Sequence, residues 1–316
     1  MRKLLVLLVA LVTVAAFAAV SISGSAWAEL EVTFSATPTT TATPTISSGG
    51  DVWLVLSGNV GQKTRFVVNF SSTSFGVVSS AFIEENLYKT DALSVKYRLG
   101  RLSRRTHYVS KSGGAFALDF DIALGDLKDS LSVFVYPTGS ATTLVDLDVW
   151  NRLNFTFVTL TAFASGVLSA GAGSFPLLGL DATIDLAKAL NIQGAKLSGY
   201  TYLKIDPNAT GLNMLPNYRF GVNFGIDKLS GGVWFRTPEG NETSHMIGAS
   251  VETTVLAPVT IGGGVTLPVN LSDFSQVKLN AYVTWTSELL THRISLRFNE
   301  PSATVTKVAW TVRVSF

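Results

Sequence analysis

The chain has 316 residues with 24 basic and 22 acidic side chains, no cysteine, 47% hydrophobic content and only 15% charged content. Soluble domains carry about 25% charge, so the composition points away from an ordinary soluble protein. Without thiols, disulfides and thiolate metal sites are excluded, and packing and backbone bonds alone must hold the fold.

The first residues, Met1-Arg2-Lys3, are basic, Leu4 to Val20 is apolar, and Ala26-Trp27-Ala28 fits the small-x-small cleavage rule. This predicts a signal peptide over 1–28 and an exported unit over 29–316. Removing Arg2 and Lys3 leaves 22 bases against 22 acids, so net charge says little about partners. After Ala28 no apolar run approaches the ~18 residues of a membrane helix.

The remainder of the chain alternates instead. "KTRFVVNF" puts Thr64, Phe66, Val68 and Phe70 on one face and Lys63, Arg65 and Asn69 on the other. "LSVKYRLG" separates Leu93, Val95, Tyr97 and Leu99 from Lys96 and Arg98, and "FALDFDIAL" separates Phe116, Leu118 and Phe120 from Asp119 and Asp121. "VDLDVW" sets Asp146 and Asp148 on its polar face. A period of two is a strand signal. It predicts strands at 30–36, 51–58, 62–71, 75–84, 92–99, 115–124, 130–137, 143–149 and 153–164. It continues at 177–187, 192–204, 217–226, 229–236, 245–255, 259–267, 276–286, 289–298 and 304–316.

Short links, "DK" (Asp227-Lys228), "AP" (Ala257-Pro258) and "WNR", alternate with longer ones. The longer ones are "TPTTTATPTISSGG", "RLSRRTHYVSKSGG", "SGVLSAGAGSFP" and "DPNATGLNMLPN". That pattern, with strands of membrane-spanning length, belongs to outer-membrane barrels. In lipid every backbone polar group must be paired internally, so a sheet spans only when closed, and closure removes aggregating edges. The fold class is therefore all-β, a transmembrane antiparallel β-barrel of 16–18 strands. Eighteen is favoured, with sixteen open because 75–84 and 192–204 have unclear phase.

The chain ends in "VAWTVRVSF", with Trp310, Val312, Val314 and Phe316 on one face. This strand resembles the assembly signal of outer-membrane general (diffusion) porins, which the barrel-assembly machinery reads. "YRLGRLSRR" resembles the general-porin strand that leads into an inward-folded third loop. A sheath porin of a thermophilic bacterium is one form the resemblance admits.

The resemblance implies a homotrimer in the outer membrane, in contact with its lipid, that passes small hydrophilic solutes and ions by diffusion. It also implies a constriction in the basic stretch 96–111, formed by Lys96, Arg98, Arg101, Arg104 and Arg105. Asp119, Asp121, Asp146 and Asp148 would stand opposite, giving a transverse field; narrow charged rings control ion selectivity. The blander reading is a solvated loop on lipopolysaccharide or sheath polymer. The polar faces of clear phase carry eleven bases, Arg219 and Arg293 among them, against eight acids, hence a weak anion preference.

Two other classes stay open. A plugged adhesive barrel would use the Thr/Pro-rich stretch 37–46 as an external element. An outer-membrane lipase would need a nucleophile–base pair, and of His107, His245 and His292 none has a recognised spacing. His292 shares a face with Ile294, which separates it from Ser295. Metal spacing is absent, and "IGGGVT" lies within a strand and matches no phosphate loop. No catalysis, cofactor, metal or nucleic acid is expected.

Overall fold

Alternation runs through eighteen strands that close into one antiparallel sheet. The computed structural model describes residues 20–37, 40–60, 63–71, 78–138, 145–168, 176–207, 217–239, 242–270, 274–298 and 305–315. In chain order the strands begin with β1 (Val20–Thr37), β2 (Thr40–Val60), β3 (Thr64–Ser71), β4 (Val78–Lys89), β5 (Leu93–Arg105) and β6 (Ser110–Leu124). Next come β7 (Leu127–Pro137), β8 (Val145–Phe155), β9 (Val158–Ser165), β10 (Leu177–Asp185), β11 (Ala195–Ile205) and β12 (Asn217–Ile226). The series ends with β13 (Leu229–Arg236), β14 (Met246–Leu256), β15 (Val259–Pro268), β16 (Lys278–Ser287), β17 (Leu290–Phe298) and β18 (Val305–Ser315).

Each strand pairs with its sequence neighbours, and β1 closes the ring by pairing with both β2 and β18, Leu30 lying between Ser48 and Trp310. The two strands of unclear phase are β4 and β11, so the count is eighteen. Phe316 and residues 1–19 lie outside the described residues. The end of the proposed signal segment, Val20–Ala28, is paired within β1 in the full chain. Glu29 to Ser35 pairs with Thr311 to Val305, Ser25 to Ala28 with Ser315 to Val312, and Val20 to Ser25 with Gly58 to Trp53.

The rim holding the end of β18 carries the tight connections, among them 125–126, 156–157, 227–228 and 288–289. Gly125, Thr156, Asp227 and Glu288 adopt φ of 58°, 39°, 50° and 49°, as two-residue turns that match strand twist require. The one long link on this rim holds a single helical turn, α1 (Leu186–Ala189), capped where the Asp185 carboxylate accepts the Lys188 backbone N–H at 2.9 Å. The opposite rim carries the longer links, such as 166–176 and 206–216.

Three sequence expectations need correction. "WNR" is no turn but lies inside β8, where Asn151 donates to Asp129 at 2.6 Å on the outward face. The stretch 37–50 is no long loop: β2 begins at Thr40 and pairs with β1. Nor is 101–114 a loop, because β5 and β6 continue through it, leaving only 106–109 as a turn.

The outward face is apolar and solvent-accessible, with Leu30, Leu99, Phe116, Phe220, Val222, Ile247, Ile294 and Trp310 all exposed. Aromatic groups gather near both rims on this face, as in the girdles of membrane barrels. Tyr218, Phe220, Phe235 and His245 stack at one rim, and Trp285, His292 and Trp310 near the other. Among the described residues no helix is long and apolar enough to cross a membrane.

Candidate functional site

The β5–β6 hairpin leaves the wall and folds inside the barrel. β4 stays with β5 only as far as the Ala81↔Arg101 pair, and β6 meets β7 only from Phe116↔Val135 onward. Between these points residues 102–113 pair only with one another, out to Arg105↔Ser110. The departure begins at Gly100, whose φ of 137° and contact with the Ala81 carbonyl leave no room for a β-carbon.

One face of the hairpin lies against the inward side chains of β7 and β8. Leu102, Ala115 and Ala117 bury Phe134 and Tyr136, with Phe82 and Trp150 alongside. The turn reaches farther round the ring. Thr106 and Val109 pack where Gly179 of β10 has no side chain. The His107 backbone N–H donates to Asp181 at 2.7 Å, and its ring stacks on Tyr202 of β11 at 4.1 Å. Burial, with Arg219 nearby, lowers the His107 pKa.

The predicted charges meet at this packed face. Arg98 holds Asp119 with two hydrogen bonds of 2.5 Å, its guanidinium between the rings of Phe82 and Phe134 at 5.7 and 5.6 Å. Ser132 donates to the same carboxylate at 2.5 Å. Arg104 stacks on Trp150 at 4.9 Å and approaches Asp119 at 3.8 Å. Lys96 pairs with Asp121 at 3.3 Å. Lys111 bridges Asp146 and Asp148 at 2.7 and 3.0 Å, tying the hairpin to β8.

The expectation of basic and acidic rows on opposite walls is therefore replaced by pairs in contact, between neighbouring β5 and β6 and, for Lys111, across β7 to β8. Strand alternation also splits the basic stretch. Arg98, Arg104 and Lys111 face the wall and are held, while Arg101 and Arg105 are exposed on the other face of the hairpin. Because the packed face covers inward-pointing residues of β7 to β10, that other face looks into the lumen.

A second tie sits at the same rim. The Arg236 guanidinium grips Glu242 at 2.6 and 2.8 Å, and Lys278 donates to it at 2.8 Å. Burial pushes the Glu242 carboxyl up, but these hydrogen bonds outweigh it and hold the pKa below the usual carboxylate range.

No family model and no curated protein matches the sequence. By shape, the chain matches the crystal structure of Pseudomonas aeruginosa OpdQ with a TM-score of 0.60 and 7% identity, over 94% of this chain and 98% of that one. It matches a mutant of the Rh. blastica porin with a TM-score of 0.54 and 8% identity, over 94% and 100% of the two chains. The chain has a porin fold.

In this porin fold the hairpin is the third connection at its rim, so "YRLGRLSRR" does lead into an inward-folded element, built as paired strands. Sequence reasoning placed Arg219 on the polar face but missed the rings around it, Tyr200, Tyr202 and Trp234. These three were legible as inward positions only once β11 and β13 had a fixed register with β12. The lipase pairing does not assemble at Ser295, which is buried inward while His292 faces outward between Trp285 and Trp310. His292 Nε2 instead lies 3.0 Å from Ser287 Oγ, and its Nδ1 has no hydrogen-bond partner among the described residues.

Proposed function

We propose that this barrel is a passive diffusion porin of an outer membrane, conducting small hydrophilic solutes and ions with a weak anion preference. The observation that carries the reading is the β5–β6 hairpin folded within a closed, polar-lined ring. Its packed face is neutralised by contact pairs, and its free face presents Arg101 and Arg105. A plug is disfavoured by the rest of the ring, where inward Asn223, Asn280, Arg293 and Arg313 remain exposed.

The constriction is assigned to the hairpin and the residues beneath it, Lys96, Arg98, Arg104, Asp119, Asp121, Asp146 and Asp148, with Arg101 and Arg105 nearest the ion path. In planar bilayers the purified barrel should give steady ohmic current, whereas a plugged adhesin or a lipase should not. Replacing Arg101 and Arg105 with Gln should move the reversal potential under a salt gradient toward cations. Charges within a Debye length of the path, ~8 Å at physiological salt, are poorly screened. An unmoved potential would place the hairpin away from the path.

Export with cleavage after Ala28, assembly through the barrel machinery and a homotrimeric state belong to the same proposal. Trp310, Val312 and Val314 share the outward face of β18, as the assembly-signal reading needs. Phe316→Ser should lower the yield of assembled barrel in the outer membrane without reducing export. Undiminished yield would leave Phe316 without a role in assembly.

A further inference from the structure

Two inward arginines are held by rings instead of carboxylates. The Arg219 guanidinium lies over Trp234 at 4.6 Å and over Tyr200 at 5.8 Å, and Arg293 lies over Tyr282 at 3.8 Å. Neither makes an ion pair within 4 Å among the described residues. Their rings lie close against the wall because the facing positions are glycine. Gly221 stands between Tyr200 and Trp234 in the register, Gly248 faces Trp234, and Gly262 faces Tyr282. A β-carbon at Gly248 or Gly262 would collide with the ring. The Tyr282 hydroxyl is fixed in turn by donation to Glu252 at 2.5 Å.

This construction matters for the field in the lumen. A base in contact with a carboxylate presents a dipole, whose potential falls faster with distance than that of a single charge. On the packed face of the hairpin Arg98, Arg104 and Lys111 likewise cancel against Asp119, Asp146 and Asp148, three bases to three acids. A guanidinium stacked on a ring keeps its full charge, since the ring desolvates one face without cancelling it. Arg219 also lies where the hairpin narrows the ring, being the register partner of Tyr202, on which His107 stacks. Arg293 sits on β17 near the opposite rim, three residues from its turn.

We infer that Arg219 and Arg293 are selectivity residues, two ring-held cations along the lumen that favour small anions. The inference rests on the diffusion-pore reading and adds to it residues outside the basic stretch. Single charges beside a water-filled path act at roughly the thermal energy, so each should change the anion-to-cation permeability ratio about twofold.

The test is the reversal potential of the purified barrel in planar bilayers under a potassium chloride gradient. Arg219→Gln and Arg293→Gln should each lower the chloride-to-potassium ratio about twofold, and the double variant should lower it further. Arg219→Lys and Arg293→Lys keep the charge and should retain most of the wild-type ratio, which separates a lost charge from a disturbed wall. A conducting pore whose potential stays put in both Gln variants would overturn the inference alone. So would Lys variants that shift as far as the Gln ones. A wild-type barrel without steady current would overturn the pore reading itself.

Discussion

Asp119→Ala should destabilise the barrel by about 3–5 kcal/mol, the range for removing one partner of a buried ion pair. The Arg98 and Asp119 side chains are only 5% and 3% exposed, and the two bonds between them are at 2.5 Å. Removing the carboxylate leaves the Arg98 guanidinium desolvated between Phe82 and Phe134. It also removes the one carboxylate that ion-pairs with Arg104 among the described residues. Asp121→Ala is the comparison. Its pair with Lys96 is more open, the Lys96 and Asp121 side chains being 29% and 40% exposed, and such pairs contribute up to about 1 kcal/mol. Urea unfolding of the refolded barrel in micelles, followed by tryptophan fluorescence, checks both. Equal midpoints for the two variants would mean that the hairpin does not bury Asp119.

Val222→Arg should impair folding far more than Asn223→Arg, one residue along. Val222 faces outward at 38% exposure in register with Val233, and Asn223 faces inward opposite Gly232. An arginine on the lipid face near mid-bilayer destabilises by about 2–4 kcal/mol, whereas a lumen position tolerates charge. The measurement is the folded fraction on refolding into lipid vesicles, read as the mobility shift of the unheated barrel on gels. Similar folded fractions would sink the assignment of apolar-out, polar-in faces on β12.

Where lipid and water act on the two faces of a strand, the sequence was enough. The stretches around Lys96, Arg98, Asp119, Asp121, Asp146 and Asp148 showed their inward direction through alternation with Val95, Leu99, Phe120 and Leu147. The outward set on the last strand, Trp310, Val312 and Val314, was equally plain. Closure followed from the same solvent argument, because unpaired backbone cannot remain in hydrocarbon. Tight turns were legible where Asp227-Lys228 interrupts two apolar faces.

The signal failed where a strand has no lipid face. Arg101, Ser103 and Arg105 alternate with Leu102 and Arg104 in a hairpin that touches only protein and lumen, so neither side is continuously apolar and the stretch reads as a loop. Thr40 to Gly50 at the start of β2 carries Thr or Ser at both alternate sets of positions, so no apolar side shows, and at Asn151 a polar outward residue hides the middle of β8. Which charges meet was also beyond the sequence, since Lys111 finds Asp146 and Asp148 only when the hairpin crosses strands far apart in the chain. One-dimensional alternation assigns a face to each side chain, and its physical origin is the solvent on that face. Only the tertiary fold brings distant faces together, pairing Arg98 with Asp119 and leaving Arg219 and Arg293 on their rings.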